Sequence, residues 1–259
     1  MAYSKDFQFK LSNERDQVLQ SLKDLQLKAI AIGQPLDVDT RLREHLLHGV
    51  ARRLDVMHNT IDNVFTLFPL ETLKPLHPTT LANVEINLHA FVMNVYGIFD
   101  NWAWTYVLCH DLESSIGDHR KIGLFHAATR RTLPPPLRAY LMSSDMDEWH
   151  KKYAKSFRDA LAHRIPPYVP PAQFTPEDSR RYNALEAEKI VCIKQHRWDR
   201  LTEIEKEQAD IGEPCFKFLH AYTEVTPPTV LMLHPQMVTD AMAVVEFGNL
   251  FFAHWQEKA

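Results

Sequence analysis

An arginine, a carboxylate and a histidine lie within two turns at the end of one predicted helix: Arg158, Asp159 and His163. An arginine can hold a phosphate through two hydrogen bonds, and a histidine can move a proton near neutral pH. The histidine could take the proton of a ribose 2′-hydroxyl, while the arginine offsets the negative charge that grows on the phosphorus oxygens. These residues therefore suit cleavage of a phosphodiester, a chemistry that needs no metal or other cofactor.

Helical geometry predicts that these three residues lie off the apolar face of their helix. At 100° per residue that face consists of Met146, Trp149, Tyr153, Phe157 and Leu161. Asp159 and His163 are four residues apart, so their side chains can meet and the carboxylate can fix the tautomer of the imidazole. Nearby basic and aromatic residues are the candidate substrate-binding residues, namely Lys151, Lys155, Arg164 and Tyr168.

A purely structural explanation of the same residues is also open. Basic side chains near a helix C-terminus complement the helix dipole and need no further role. Three other pairs have similar separations, namely Arg43–His48, Arg53–His58 and Arg120–His126. Because not all of these pairs can be active sites, spacing alone does not decide between catalysis and a solvated helix end.

The composition is that of an ordinary globular protein, with 259 residues, 45% of them hydrophobic. A formal net charge of −4 argues against a protein that coats nucleic acid by bulk charge, so any such contact must be local. Three widely spaced cysteines favour a reducing cytoplasm over a disulfide or metal-binding scaffold. The sequence shows neither a signal peptide nor a membrane span, so no membrane partner is expected.

Scarce glycine and clustered proline indicate an all-α protein. We predict helices over about 12–32, from 40, from 79 or 80, over 119–129, after 136, from a cap at Ser144 with Asp147, from a cap at Thr175, and over 235–255. The third of these is apolar all round and is the expected centre of a bundle. Residues 229–233 form the one predicted extended segment. We expect one domain over 1–259, with a core over about 40–168 and a helical extension over about 175–259.

The segment from Phe157 to Tyr168, Phe-Arg-Asp-Ala-Leu-Ala-His-Arg-Ile-Pro-Pro-Tyr, resembles the R-x4-6-H motif of HEPN-superfamily domains. The polar residue that often follows the arginine in that family is matched by Asp159. The preceding helix, with Asn94-Val95-Tyr96-Gly97-Ile98-Phe99-Asp100-Asn101-Trp102, also looks like helices of that superfamily. The resemblance covers about residues 80–168.

This resemblance implies an all-helical homodimer in which two motifs meet across the interface and cleave RNA without a metal. Arg158 and His163 would then be catalytic, with Asp159 assisting. It also implies a role as a toxin or in phage defence, with an antitoxin or regulator protein as partner. Other members of the family show no cleavage, so a helical binding or assembly protein is the first alternative. The chain is longer than a minimal HEPN domain and has no recognisable nucleotidyltransferase segment.

A second alternative is a metal site in the bundle. Two Glu–His pairs at four-residue spacing, Glu44–His48 and Glu85–His89, could meet between facing helices. Asp100 and Asn101 interrupt the most apolar helix. Because a buried aspartate needs a partner, Arg158 is the candidate partner of Asp100. This is either a structural pair inside the bundle or a pair that supports the site, with Asn101 beside it. The neighbouring Trp102 and Trp104 are expected in the core. No Gly-rich phosphate loop, Gly-x-Ser-x-Gly elbow or HExxH motif occurs.

Overall fold

The computed structural model describes residues 3–35, 38–220 and 229–256, and it confirms the predicted all-α class. Four long helices dominate: α1 (Lys5–Gly33), α3 (Arg52–Leu67), α4 (Pro78–Cys109) and α12 (Leu233–Gln256). A short α2 (Thr40–Arg43) continues through a π-helical stretch, Glu44–Ala51, directly into α3. Helix α1 begins earlier than predicted because the Ser4 side chain accepts a hydrogen bond from the amide of Phe7.

Helix α4 lies at the centre of the bundle, as predicted. Its proline at the first position and the His77 side chain, which accepts from the amide of Thr79, define its start. Helices α3 and α12 and the π-helical stretch Glu44–Ala51 pack against it, and α1 packs on α3 and α12. The aromatic side chains of Phe99, Trp102 and Phe247 meet in the core. Because α12 packs directly on α1, the two ends of the described chain share one hydrophobic core.

Shorter elements cross the bundle between residues 110 and 163. They are α5 (Glu113–Ile116), a 3₁₀ turn (His119–Lys121), α6 (Ala127–Arg130), α7 (Pro135–Leu141), α8 (Ser144–Trp149), a π-helical stretch (His150–Ala154) and α9 (Lys155–His163). The predicted helix over 119–129 is wrong because only its two ends are helical. Between them Ile122 and Leu124 are buried in an irregular segment. The predicted cap is also displaced by one residue, since Ser143 rather than Ser144 accepts from the amide of Met146.

A helical hairpin follows the proline-rich stretch. It consists of α10 (Pro176–Lys194) and α11 (Trp198–Ala209), and the predicted cap at Thr175 is confirmed because Thr175 and Asp178 bond each other's backbone amides. The hairpin has a small apolar cluster of its own, separate from the main core, made of Leu185, Cys192, Ile204 and Ile211.

The predicted extended segment is a strand, but it does not stand alone. β1 (Lys217–His220) pairs antiparallel with β2 (Thr229–Met232), with Lys217 opposite Met232 and His220 opposite Thr229. The sequence analysis missed β1. The two-stranded sheet lies against α9, where the Ser156 hydroxyl is 3.0 Å from the His220 ring nitrogen Nε2.

Among the helices in the described ranges, each is too short or too polar to cross a membrane.

A buried carboxylate on α12 ties this helix to α8. The Oδ1 atom of Asp240 accepts hydrogen bonds from Trp149 Nε1 and Gln236 Nε2, each at 2.7 Å. Burial raises the pKa of Asp240 from 3.8 to about 7, and the two hydrogen bonds only partly oppose this. Folding therefore favours the protonated form, so the free energy of unfolding should fall as the pH rises from about 4 to about 7.

We predict that Asp240→Asn flattens this decline, because the amide can still accept through its oxygen but carries no charge. The measurement is urea unfolding of both proteins at pH 5, 6.5 and 8. The stability difference between variant and parent should shift in favour of the variant as the pH rises, by up to about 1.4 kcal/mol per pH unit. Burial also lowers the pKa of His234, to about 4. Because His234 is present in both proteins, its contribution cancels in the stability difference. A stability difference that does not change with pH would contradict the raised pKa of Asp240.

Candidate functional site

The motif helix ends where the sequence predicts, and α4 holds the loop that follows it. Helix α9 stops at His163, and Arg164 is already extended before the two prolines. The Nε2 atom of His89 lies 2.7 Å from the carbonyl oxygen of Pro167, and Glu85 Oε1 accepts from the amide of Val169 at 2.9 Å. These contacts fix the end of α9 beside α4.

The same contacts remove the hypothesis of a metal site between Glu–His pairs. Glu85 and His89 are engaged with the proline loop, whereas Glu44 and His48 are exposed on the π-helical stretch before α3. The described residues contain no group of three or more histidine, cysteine or acidic side chains that could hold a metal ion. The four residues do not converge, so the prediction of a metal site built from them is wrong.

Arg158 lies against α4 rather than pointing freely into solvent. Its guanidinium carbon is 4.4 Å from the centroid of the Tyr96 ring, and its Nη2 donates to the Tyr96 hydroxyl at 3.0 Å. Its Nη1 is 3.1 Å from Asp159 Oδ1. The Nε atom is buried and has no hydrogen-bond partner within the described ranges. Tyr96 and Asp159 therefore hold the guanidinium in one orientation through its two Nη atoms, while the buried Nε donor has no partner among the described residues.

His163 lies on the same helix but does not join this arrangement. Its side chain is exposed, and it makes no hydrogen bond or ion pair with any residue the structure describes. The expected contact between Asp159 and His163 is not formed, because Asp159 pairs with Arg158 instead. Sequence spacing allowed both partners, and the stronger interaction of a carboxylate with a guanidinium decides between them.

The candidate substrate-binding residues lie at the surface, before, on and after α9. Lys151 is committed to Asp147, at 2.6 Å, whereas Lys155 and Arg164 are exposed. Tyr168 is also exposed, and its backbone pairs with Leu219, so this residue extends the small sheet. Lys151 lies on the π-helical stretch before α9, Lys155 begins α9, and Arg164 and Tyr168 follow its end, so the four residues are spread along the motif helix.

A second arginine lies on the other side of the same α4 surface. Arg53, from α3, donates through Nε to Asn101 Oδ1 at 2.7 Å and through Nη1 to Asn94 Oδ1 at 3.1 Å. Gly97 makes room for it, since a Cβ built on that glycine would be 2.6 Å from the guanidinium carbon. The loss of water around Arg53 lowers its pKa. Asn101 thus supports an arginine, although not the one in the predicted motif.

Asp100 lies between the two arginines on the outer face of α4. Asp100 is an exposed residue, yet the protein around its carboxyl group raises its pKa by desolvation, and the charges of Arg158, Arg53 and His126 oppose that rise. Asp100 makes no ion pair with a described residue, so the expected direct pair with Arg158 is not formed. Arg158 influences Asp100 through its charge alone.

Two histidines on π-helical stretches flank this surface. His150 stacks on Phe125, with ring centroids 3.5 Å apart, and on Tyr96, at 5.9 Å. Burial lowers its pKa to about 4, so this imidazole is neutral at pH 7. His45 stacks on Trp104 at 5.4 Å, and burial lowers its pKa as well. Trp102 is buried as expected, whereas Trp104 is only half-buried and lies at the edge of the surface.

We call this region the α4 polar surface. It consists of Arg53, Asn94, Tyr96, Asp100, Asn101, His126, His150 and Arg158. Sequence analysis found Arg158, Asp100 and Asn101 and missed Arg53, His126 and His150. The signal that could have found it is the spacing of Asn94, Gly97 and Asn101, because polar and small residues recur on one side of an otherwise apolar helix.

Paired arginines, a carboxylate with a raised pKa and nearby histidines can together orient an anionic group and transfer protons beside it. No protein-family model, curated protein or solved structure matches the chain. The chemical argument therefore rests on the side chains themselves.

The close approach of Arg53 to Gly97 gives a test of how this surface is built. We predict that Gly97→Ala displaces the guanidinium, weakens its bonds to Asn94 and Asn101, and destabilises the protein by about 1–3 kcal/mol. In an Arg53→Ala background the same glycine change should instead stabilise, by up to about 1 kcal/mol, because alanine favours a helix. Denaturant unfolding of the four proteins measures this. If Gly97→Ala changed the stability in the same direction in both backgrounds, the position of the Arg53 guanidinium would not depend on Gly97.

Proposed function

We propose that the chain is a metal-independent endoribonuclease of HEPN type that acts as a homodimer. The observation that carries the proposal is the guanidinium of Arg158, held by Tyr96 and Asp159, on the same short helix as the exposed His163. The Arg158 side chain is 28% exposed, so the fixed guanidinium is open in part to a phosphate oxygen from solution. A solvent-exposed imidazole suits proton transfer with a substrate from solution.

Each residue has a defined role in this proposal. Arg158 offsets the charge that develops on the phosphorus oxygens, and His163 acts as an acid–base group. Asp159 is assigned to hold Arg158, in place of the histidine partner expected from the sequence. Lys155, at the start of α9, and Arg164, just after its end, are exposed and are assigned to the phosphate backbone of the substrate.

Exposed apolar side chains close to the motif support the homodimer. On α4, Ile86 is 63% and Met93 40% exposed, and Ile165, two residues after His163, is 54% exposed. Ile86 and Met93 are seven residues apart and lie on one face of α4, where a second copy of the chain could cover them. The cytoplasm is the proposed location, because all three cysteines are thiols. A toxin or phage-defence role with an inhibitor protein remains part of the same proposal.

One observation favours the alternative of a non-catalytic binding or assembly protein. Both Nη atoms of Arg158 already have partners within the chain, which is what a purely structural arginine requires. Under that alternative the motif stabilises the contact between α9 and α4, and no RNA is cleaved.

The two functions are separated by RNA cleavage in EDTA. We predict that the purified parent cleaves single-stranded RNA, and that His163→Ala and Arg158→Lys each lower the rate by about 10²–10⁴-fold. The matched control is His196→Asn, which removes an exposed histidine from the α10–α11 turn and should leave the rate unchanged. An inactive parent that is folded and dimeric would favour the binding protein, and equal rates in parent and His163→Ala would refute the motif.

A dimer that carries the site can be tested separately. Met93→Lys should raise the concentration at which the dimer dissociates, because the change introduces a charge into an exposed apolar position beside the α4 polar surface. Analytical ultracentrifugation of variant and parent measures this, with Leu27→Lys as the control because Leu27 is an exposed leucine on α1. Equal dissociation constants for the parent and Met93→Lys would place the interface elsewhere.

A further inference from the structure

A second cluster of aromatic and basic side chains lies on the same face of α4 as the contacts of the motif. At 100° per residue, Met93, Asp100 and Trp104 fall within about 40° of one another, and each is at least partly exposed. Tyr96, which holds Arg158, lies about 12 Å from Trp104 along the helix axis. A stacked strand that rises about 3.4 Å per nucleotide covers this distance in three or four nucleotides. Trp104 is therefore within reach of an RNA strand bound at Arg158.

Three side chains from other segments surround the ring of Trp104. His45 stacks on it, with ring centroids 5.4 Å apart and an interplanar angle of 6°. The guanidinium carbon of Arg41 lies over the ring, 5.8 Å from its centroid, and the ring of His119 meets it at an angle of 80° and a centroid distance of 5.4 Å. Arg41 and His119 are exposed, so Trp104 is the inner member of this cluster.

A carboxylate holds the two exposed members of the cluster in place. Arg41 Nη1 and Nη2 donate to the two oxygens of Glu113 at 2.7 and 2.9 Å, and His119 Nε2 lies 3.4 Å from Glu113 Oε1. One edge of the guanidinium is thereby occupied, while the Arg41 side chain is still 52% exposed. A flat cation that is held by its edge is suited to stack through its face.

We infer that this cluster is a subsite for an unpaired base of the RNA substrate, in which Arg41, Trp104 and His119 supply the stacking surfaces. The inference rests on the proposed function and deepens it, because it names what holds the strand beside the motif. Unpaired RNA bases stack on aromatic rings and on guanidinium planes, whereas the bases of a duplex are stacked on each other. The subsite therefore selects single-stranded RNA.

Exposed cations next to the cluster suit the phosphates of the same strand. His119 begins the 3₁₀ turn of three basic residues, in which the side chain of Asp118 accepts from the amide of Arg120 at 3.0 Å. The Arg120 side chain is 91% exposed, and Lys121 is exposed and makes no ion pair with any residue that the structure describes. Sites for single-stranded nucleic acid combine such cations, which follow the backbone, with rings on which the bases stack.

His45 connects the cluster to the α4 polar surface. Its Nδ1 atom lies 3.4 Å from Asn101 Nδ2, and Asn101 in turn accepts from Arg53. Burial lowers the pKa of His45, and the charge of Arg41 adds to this effect, so the ring is neutral at pH 7. A neutral imidazole can accept from the Asn101 amide. The cluster and the α4 polar surface therefore form one continuous surface along α4.

The experiment measures binding separately from cleavage. The probe is a short fluorescein-labelled single-stranded RNA in which every 2′-oxygen is methylated, so that it cannot be cleaved through a 2′-hydroxyl. Fluorescence anisotropy at one salt concentration compares the parent, Trp104→Ala and Trp104→Phe. The matched control is Trp198→Ala, which removes a tryptophan that is 55% exposed on α11. A second probe has the same backbone with an abasic residue at every position, so it offers phosphates without bases.

We expect Trp104→Ala to weaken binding of the methylated RNA about 5–100-fold, and Trp104→Phe to keep most of the affinity because a ring is still present. Trp198→Ala should match the parent, and all four proteins should bind the abasic strand equally weakly. Equal binding of the methylated RNA by the parent and Trp104→Ala would overturn the inference. An equal loss on both probes would overturn it as well, because the loss would not depend on bases.

A second variant keeps the inference testable if thermal unfolding shows that Trp104→Ala does not fold. Arg41→Lys retains the charge and loses the planar group, so it should weaken binding of the methylated RNA several-fold and leave the abasic strand unaffected. Binding of both probes at the parent affinity would remove Arg41 from the subsite and overturn the inference.

Cleavage of unmodified RNA by the parent, measured in parallel, separates this inference from the proposed function. If the parent cleaves RNA while Trp104→Ala binds as the parent does, the function stands and the subsite falls. If the parent binds the methylated RNA through Trp104 but cleaves no RNA, the subsite stands and the ribonuclease falls. A parent that neither binds nor cleaves RNA refutes both.

Discussion

The burial of α4 is the constraint on which the rest of the structure depends. This helix of 32 residues is apolar over most of its circumference, and at about 1.5 Å per residue it is roughly 48 Å long. Helices α3 and α12 and the π-helical stretch Glu44–Ala51 cover its apolar sides, with Phe99 and Trp102 at the centre of the aromatic core. Polar side chains cannot be buried there without partners, so Asn94, Asp100 and Asn101 lie towards the strip between α3 and α9, where the two arginines interact with them. The position of the α4 polar surface is therefore a consequence of packing.

Two π-helical stretches border that strip and determine which side chains reach it. Each stretch, Glu44–Ala51 and His150–Ala154, widens a helix and changes the direction of the side chains that follow. Arg53 follows the first stretch and Arg158 follows the second. Such stretches are frequent at functional sites because they aim side chains in directions that a regular helix does not allow. Here they place an arginine on each side of Asp100.

The electrostatics of the surface are local rather than general. Arg53 and Arg158 are matched by Asp100 and Asp159, so the four side chains together carry little net charge, in a protein whose formal net charge is −4. Attraction of RNA by a broad positive field is therefore a minor factor. Recognition would depend on the fixed orientation of each guanidinium and on exposed basic groups at the rim, such as Lys155 and Arg164. A fixed orientation of a guanidinium is costly to provide in a flexible loop. The packing of α9 on α4 provides this orientation for Arg158.

The sequence by itself determined the helical class, the central place of α4, the cap at Thr175 and the stop of α9 at the prolines, because these follow from local periodicity, capping and the geometry of proline. It could not determine the short strand β1, whose partner is distant in the chain, or the partner of Arg158. It also could not bring Arg53 and His126 to Asp100, because the three residues come from separate segments that meet only when α4 is packed. Local rules act over a few residues. The composition of the site was decided by contacts between helices and by the two π-helical stretches. Each stretch turns the side chains that follow it away from the direction that regular helical spacing predicts.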